Sequence, residues 1–229
     1  MSLEGSTFTG SIASNWFKGN VSLKFDTIAL RENISFFNGF KDNTPAYTGG
    51  CGSIKMQAKS ISSNLTNILA ADIDIRCDSW VNSDNVTLYG GGKVRDSSGN
   101  YVDNTYPSNA YIDVKSLNVQ INYFGYNMVV KSDYVQYAPI MSSGAPFIPN
   151  RTSLHFDYGK CLTAVVPLAG NPIATGSDGN PVVYEFIGSC NVAQGVVFSI
   201  NSNPPATWQI KGSFNARVDF SNVTCCFPI

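Results

Sequence analysis

The stretch Ala110-Tyr-Ile-Asp-Val-Lys-Ser-Leu-Asn-Val-Gln-Ile-Asn-Tyr123 carries the longest strand pattern in the chain. Its apolar and polar residues alternate, which is the two-residue period of a strand with one buried face. Ile112 and Leu117 follow opposite phases of this alternation. The slip between them, at Lys115-Ser116, predicts a β-bulge. We therefore expect one long, irregular strand here.

The same two-residue period recurs along most of the chain, and no apolar stripe of helical period extends over twelve residues. Ser60–Ala71 is the best helix candidate, and it is short. Turn residues separate the strand patterns at regular intervals, which is typical of antiparallel all-β proteins. The sequence predicts a single β domain over residues 1–229: an antiparallel, jelly-roll-like β-sandwich or a barrel, with long loops and at most one short helix near 60–71. The loop at 138–152 could divide the domain internally.

Two segments near the ends of the chain resemble each other. Trp16–Asp26 and Trp208–Asp219 both run from Trp through Lys-Gly to an alternating stretch that ends in Asp. One interpretation is that the first and last strands pair and close the sheet. The other is that they are simply two similar antiparallel strands.

The composition excludes several classes of protein. Charged residues make up 14% of the chain and the net charge is -1, whereas a typical chain has about 25% charged residues. No basic cluster indicates nucleic-acid binding, and no apolar run is long enough for a membrane helix. The first ten residues lack the pattern of a signal peptide, so either the protein is used without secretion or a leader has been removed. A neutral polar surface of this kind suits packing against other copies or contact with sugars.

Residues that carry out catalysis are scarce. His155 is the only histidine, and alternation places it on a strand face with Ser153 and Asp157, where we interpret it as a surface residue. Glu185 paired with a carboxylate of the Asp72–Asp78 row could serve a glycosidase or lyase. Arg76 within that row instead favours a charged exterior with cross-strand ion pairs. The sequence predicts no catalytic site, no metal and no cofactor.

The six cysteines and six Asn-x-Ser/Thr sequons leave alternatives open. An even number of cysteines permits disulfides, whereas Cys77 has the position of a small buried apolar residue. The sequons fit a glycoprotein, but a chain this rich in Asn, Ser and Thr would also contain several by chance.

Aromatic and apolar residues are concentrated in two predicted loops, 36–52 and 138–152, and in the C-terminal tail. Long apolar loops are often contact sites. The candidate assembly contacts are Phe36, Phe37, Phe40, Tyr47, Ile140, Met141, Phe147, Ile148, Phe227 and Ile229. The candidate sugar-stacking residues are Trp80, Tyr101 and Tyr106.

Three functional hypotheses follow from these observations. The first is a non-enzymatic structural subunit that self-assembles through its loops and C-terminal tail, either a virion protein (tail, capsid-associated or fibre) or an extracellular filament subunit. Its partners would be copies of itself, with other virion or surface proteins, and its location the virion or the extracellular surface. The second is a carbohydrate-binding or adhesion module, with glycans as partners. The third is an Asp/Glu-dependent β-sandwich glycosidase or lyase.

Overall fold

The computed structural model describes the strands and the residues next to them. The described residues are 1–10, 15–17, 20–31, 35–38, 53–64, 66–70, 72–82, 86–89, 93–95, 101–103, 109–124, 127–137, 140–143, 151–161, 168–170, 183–192, 198–214 and 218–226.

All the regular elements of these residues are β-strands. In chain order they are β1 (Ser2–Gly10), β2 (Asn15–Phe17), β3 (Val21–Leu30), β4 (Ser35–Asn38), β5 (Ser53–Ser63), β6 (Thr66–Leu69), β7 (Asp72–Asn82), β8 (Val86–Tyr89), β9 (Lys93–Arg95), β10 (Tyr101–Asp103), β11 (Asn109–Asn118), β12 (Ile121–Phe124), β13 (Asn127–Ser132), β14 (Tyr134–Val135), β15 (Ile140–Ser143), β16 (Arg151–Cys161), β17 (Leu168–Gly170), β18 (Val183–Val192), β19 (Phe198–Phe214) and β20 (Val218–Cys226).

The strands form two large parallel sheets. Sheet A has the order β1-β3-β5-β7-β11-β13-β16-β18-β19-β20, with the short β14 between β11 and β16. Sheet B has the order β17-β15-β12-β8-β6-β4-β2. From β1 to β8 the chain alternates strictly between the sheets, so each turn of the chain lays one strand on each sheet. This is a parallel β-solenoid, in which each coil packs on the preceding one.

The predicted antiparallel sandwich or barrel is therefore wrong. Every described pairing within sheets A and B is parallel, including β11 with β13. β1 and β20 lie at opposite edges of sheet A, so the first and last strands do not pair. Antiparallel pairing occurs between β9 and β10, across residues 96–100, where the turn residues Asp96 to Asn100 favour a hairpin.

The helix expected near 60–71 is also absent from the described part of that segment. β5 extends to Ser63 and β6 covers Thr66–Leu69. Ile61, Ser63 and Ile68 are buried. These residues are held as strands because each has a neighbour in an adjacent coil, and such pairing outweighs weak helix propensity.

The coils are stacked in register, so residues of similar character form rows across sheet A. One row places Leu23, Met56, Ile75, Ile112 and Val130 on successive strands, and all five are fully buried. The core lies between the sheets and is built from such rows. Burial of the aligned apolar side chains, at about 25 cal/mol per Å², favours this register over any one-residue slip, because a slip would turn every apolar side chain outward.

The phase slip in the opening stretch is a bend shared by several coils. At Lys115-Ser116 the alternation changes phase, and the same change occurs at Asp26-Thr27, Lys59-Ser60 and Asp78-Ser79. The register between β7 and β11 passes through this point unshifted, from Val114↔Cys77 to Ser116↔Ser79. A β-bulge needs an extra residue on one strand only, so the predicted bulge is instead a bend that the stacked strands make together.

Trp80 lies just beyond the bend and fills the core there. Its side chain is fully buried, and its indole N–H donates a hydrogen bond of 2.9 Å to the Ser63 hydroxyl. A buried indole needs such a partner.

Candidate contact surface on the outer face of sheet A

The outward side chains of sheet A form four rows on strands β3 to β16, which we call the outer grid. The rows run across the sheet in steps of one strand and are set by the same registers as the core rows. The grid holds six of the chain's 15 basic residues and seven of its 16 acidic residues: Lys24, Lys55, Lys59, Arg76, Lys115 and Lys131, with Asp26, Asp72, Asp74, Asp78, Asp113, Asp133 and Asp157.

The row at the bend alternates in sign, and we call it the charge row. It consists of Asp26, Lys59, Asp78, Lys115 and Asp133 on successive coils. The Lys59 ammonium lies 2.9 Å from the Asp26 carboxylate, and the Lys115 ammonium lies 2.6 Å from that of Asp78. These hydrogen bonds are the main reason that the pKa of each lysine is raised above its ordinary value. Each lysine lies between two aspartates, and the row of two lysines and three aspartates carries a net charge of -1.

A second cluster surrounds Asp74 in the middle of the grid. The Arg76 guanidinium donates two hydrogen bonds to the Asp74 carboxylate, at 2.8 and 3.2 Å, and these raise the pKa of Arg76. The Lys55 ammonium lies 3.9 Å from the same carboxylate. The centre of the Tyr111 ring lies 4.8 Å from the Arg76 guanidinium carbon and 5.9 Å from the Lys131 ammonium nitrogen. Of these ion pairs, Lys55–Asp74 joins β5 to β7, as the Asp72–Asp78 row predicts, whereas Arg76–Asp74 lies within β7.

A ladder of amide side chains begins the strands. The side-chain amide N–H of Asn109 donates to the Asp72 carboxylate at 3.0 Å. The side-chain amide N–H of Asn127 donates to the side-chain oxygen of Asn109 at 3.1 Å. The backbone N–H of Ser53 donates to the Asn20 side-chain oxygen at 3.1 Å. These bonds join the start of β5 to Asn20, and the starts of β7, β11 and β13 to one another, and so favour the observed register.

A shallow depression of about 430 Å³ opens near β1. Gly5, Phe25 and Ala58 are among its apolar lining residues, with Lys24, Lys59, Glu4, Asp26, Gln57 and Asp78 around them. Gly5 leaves the space open, because a Cβ there would come within 3.0 Å of the Phe25 ring. The depression combines a half-buried aromatic ring with both signs of charge.

Cys77 lies in the core and is unreactive at neutral pH. Cys77 is a free thiol, and burial raises its pKa to about 12. At neutral pH it remains protonated, and a protonated thiol is a poor nucleophile and metal ligand. Its position agrees with the interpretation of Cys77 as a small buried apolar residue.

Four of the candidate assembly contacts belong to strands of sheet B and not to loops. Phe36 and Met141 share a register row with Ile68, Leu88 and Tyr123, which are fully buried. Ile68, Leu88 and Tyr123 place the middle of this row in the core. The other two are placed by their backbones on rows next to it: Phe37 on β4 and Ile140 on β15.

Two of the candidate sugar-stacking residues, Trp80 and Tyr101, lie on different strands. Trp80 is fully buried, so its ring offers no face to a sugar. Tyr101 begins β10 in the small antiparallel hairpin. Tyr106 lies outside the described residues, as do six of the candidate assembly contacts: Phe40, Tyr47, Phe147, Ile148, Phe227 and Ile229.

The residues considered for catalysis do not converge. Asp72 and Glu185 share one register row, but four strand steps separate them through Asn109, Asn127 and Ser153. Four steps place their Cα atoms about 19 Å apart, whereas the two carboxyl groups of glycosidases are at most about 9.5 Å apart. His155 is half-buried on the outer grid, in the row of Tyr111 and Val129.

Within the described ranges, no group of three or more His, Cys, Asp or Glu residues is arranged to hold a metal ion. Over the same ranges, no helix has the length and apolar character needed to cross a membrane. No protein-family model matches the chain, and no curated protein or solved structure shows significant similarity to it.

Sequence reasoning missed the two edges of sheet A. β1 is an edge strand paired with β3, and β20 is the edge strand at the other end. The available signal was a repeated eight-residue pattern of three alternating apolar or small residues, a charged or polar residue, a hydroxyl residue and a further apolar residue. It is clearest in Val21–Ile28, Ile54–Ile61, Ile73–Trp80 and Ala110–Leu117, and Met1–Phe8 fits it as well.

Proposed function

We propose that this protein is a non-enzymatic structural subunit that self-assembles, as a component of a virion or of an extracellular filament. The observation that carries the proposal is the polarity of sheet A: its strands all run in one direction, and its two edges lie at opposite ends of the stack. A stack with these properties can add copies end to end without reversing direction. A contact of that kind does not close on itself and generates a filament or fibre.

The outer grid supports the proposal through its charge balance. Ion pairs within the face, such as Lys59 with Asp26 and Lys115 with Asp78, leave little net charge to keep copies apart. The same side chains are engaged with one another, which stiffens the face and suits a scaffold.

Light scattering and negative-stain microscopy on the purified chain test the proposal. We expect the mass to rise with protein concentration, and elongated particles to appear whose length grows in steps of one subunit. A particle that stays strictly monomeric at high concentration would contradict it.

The depression near β1 favours a second candidate, a carbohydrate-binding module. The partly exposed Phe25 ring among carboxylates and lysines has the mixed character of sugar sites. We expect a glycan array to give a ligand that is lost in Gly5→Val, which fills the depression, and kept in Ser2→Val, which lies outside it. An array without any ligand would count against this candidate.

A further inference from the structure

β1 forms an open edge of sheet A. It pairs with β3 on one side, and among the described residues no strand lies on its other side. Most of its side chains are exposed. The exposed fraction is 39% for Leu3 and 55% for the neighbouring Met1. An open strand edge presents a row of unpaired backbone groups to any chain that can pair with it.

The sequence of β1 is that of an interior strand. Met1–Phe8 follows the coil pattern found on β3, β5, β7 and β11. Natural edge strands usually carry lysine, proline or a bulge that prevents further pairing. Ser2–Gly10 contains no Lys, Arg or Pro, and Glu4 is its single charge.

The hydrogen bonds to β3 identify which backbone groups of β1 face the open edge. The Ser22 N–H donates to the Met1 carbonyl at 2.9 Å, and the Arg31 N–H donates to the Gly10 carbonyl at 2.9 Å. In a parallel ladder, alternate residues direct both backbone groups to the same neighbour. Before the bend, Ser2 and Glu4 therefore direct their N–H and C=O groups away from β3.

The opposite end of sheet A offers a matching edge. One unbroken row of registers connects Ser2 through every intervening strand to Lys211 on β19, and another connects Glu4 to Ser213. The register between β19 and β20 ends at Gln209↔Cys226. Among the described residues, Lys211–Phe214 is thus paired with β18 alone, in the same rows that β1 occupies at the other end.

We propose that Ser2–Gly5 of one copy pairs, in parallel, with Lys211–Phe214 of a second copy of this chain; the proposal rests on the self-assembly argued above. The second copy is displaced along the stack by nine strand spacings, about 43 Å. Ser2 then lies opposite Lys211, and Glu4 lies opposite Ser213, two register positions from the basic residue Lys211. The described pairing of β19 with β20 ends at Gln209, so the proposed contact uses the rows of β19 beyond that pairing.

Glu4→Pro tests the contact. Proline removes the N–H that faces the open edge and places its ring there, while the hydrogen bonds between β1 and β3 use other residues. Glu4→Gln is the matched control, because it removes the charge and keeps the N–H. We expect the concentration needed for assembly to rise about tenfold or more in Glu4→Pro and to change less than about threefold in Glu4→Gln. Circular dichroism and the thermal midpoint show whether each variant is folded.

The outcomes separate the contact from the proposed function. If the wild-type chain never assembles, the proposed function fails. If folded Glu4→Pro assembles like the wild type, self-assembly stands and this contact is wrong. Should Glu4→Pro not fold, hydrogen exchange of the wild type decides: amides of residues 2–5 and 211–214 exchange more slowly in the assembled state if the contact is right, and unchanged exchange at both segments overturns it.

Discussion

At the scale of single residues, burial sets the chemistry of this protein more than any cluster of reactive groups does. Cys77 occupies a core row with Val114, and Trp80 binds Ser63 within the core. The sequence correctly indicated that Cys77 is buried, because alternation determines which face of a strand is apolar. It did not determine that Trp80 is inside, since the bend shifts the inward phase just before that residue.

The Cys77 thiol makes the stability of the fold depend on pH. The buried thiol has its pKa raised from an ordinary 9.0 to about 12, chiefly by burial. The unfolded chain therefore releases this proton at a lower pH than the folded chain, and stability is lost as the pH rises above 9.0. We expect Cys77→Ala to remove this part of the decline, measured as the free energy of unfolding in urea against pH. An unchanged decline in Cys77→Ala would contradict the assignment.

At the scale of the element, the charge row and the bend hold neighbouring coils together. Lys59 and Lys115 have pKa values raised above 10.5 by hydrogen bonds to aspartates on the preceding coils. Their contribution is complete below 10.5 and is lost as the pH rises through the raised values.

The double variant Lys59→Gln/Lys115→Gln tests the charge row. We expect a slightly lower thermal midpoint than the wild type near neutral pH, a difference that shrinks in high salt and disappears in strong alkali. Lys24→Gln is the control, because no ion pair to Lys24 occurs within the described ranges. A deficit that persists in strong alkali would mean that packing, and not charge, is responsible.

Gly159 is required where β16 passes the bend of the preceding coil. A Cβ at this position would lie 2.6 Å from the backbone oxygen of Asp133, which cannot move without displacing the strand. We expect Gly159→Ala to destabilise the protein by about 1–3 kcal/mol in urea unfolding. Gly5→Ala is the control: its Cβ meets a side-chain atom of Phe25 at 3.0 Å, and a ring can adjust. Equal costs for the two variants would contradict this account of the bend.

At the scale of the whole molecule, the sequence indicated strands but not their direction. Parallel sheets usually have both faces covered and read as continuous apolar runs. Sheet A buries one face against sheet B and exposes the other, so its strands alternate as antiparallel strands do. The repeat was also hidden, because its first residues (Val21, Ile54, Ile73, Ala110 and Met128) are between 18 and 37 residues apart.

The candidate contact surfaces were also only partly predictable from the sequence. The charged exterior around Arg76 followed from residue types along a single strand. The edges of the stack did not, because an edge is defined by the neighbours a strand lacks, and strand order cannot be read from local alternation. Phe227 and Ile229 lie outside the described residues and remain predicted contacts.

The proposed contact between copies, the charge row and the proposed function all require that the strands of sheet A are parallel and stacked in register. Spin-label distances from Glu4 to Gln57, Asp113 and Asp157 test it most directly, since all four positions share one outward row, two, four and six strands apart. Labels on unnatural amino acids avoid the six cysteines, and dilution with unlabelled chain removes distances between copies. The stack predicts backbone separations that rise evenly, near 10, 19 and 29 Å at about 4.8 Å per strand. Distances that do not rise in this order would contradict it.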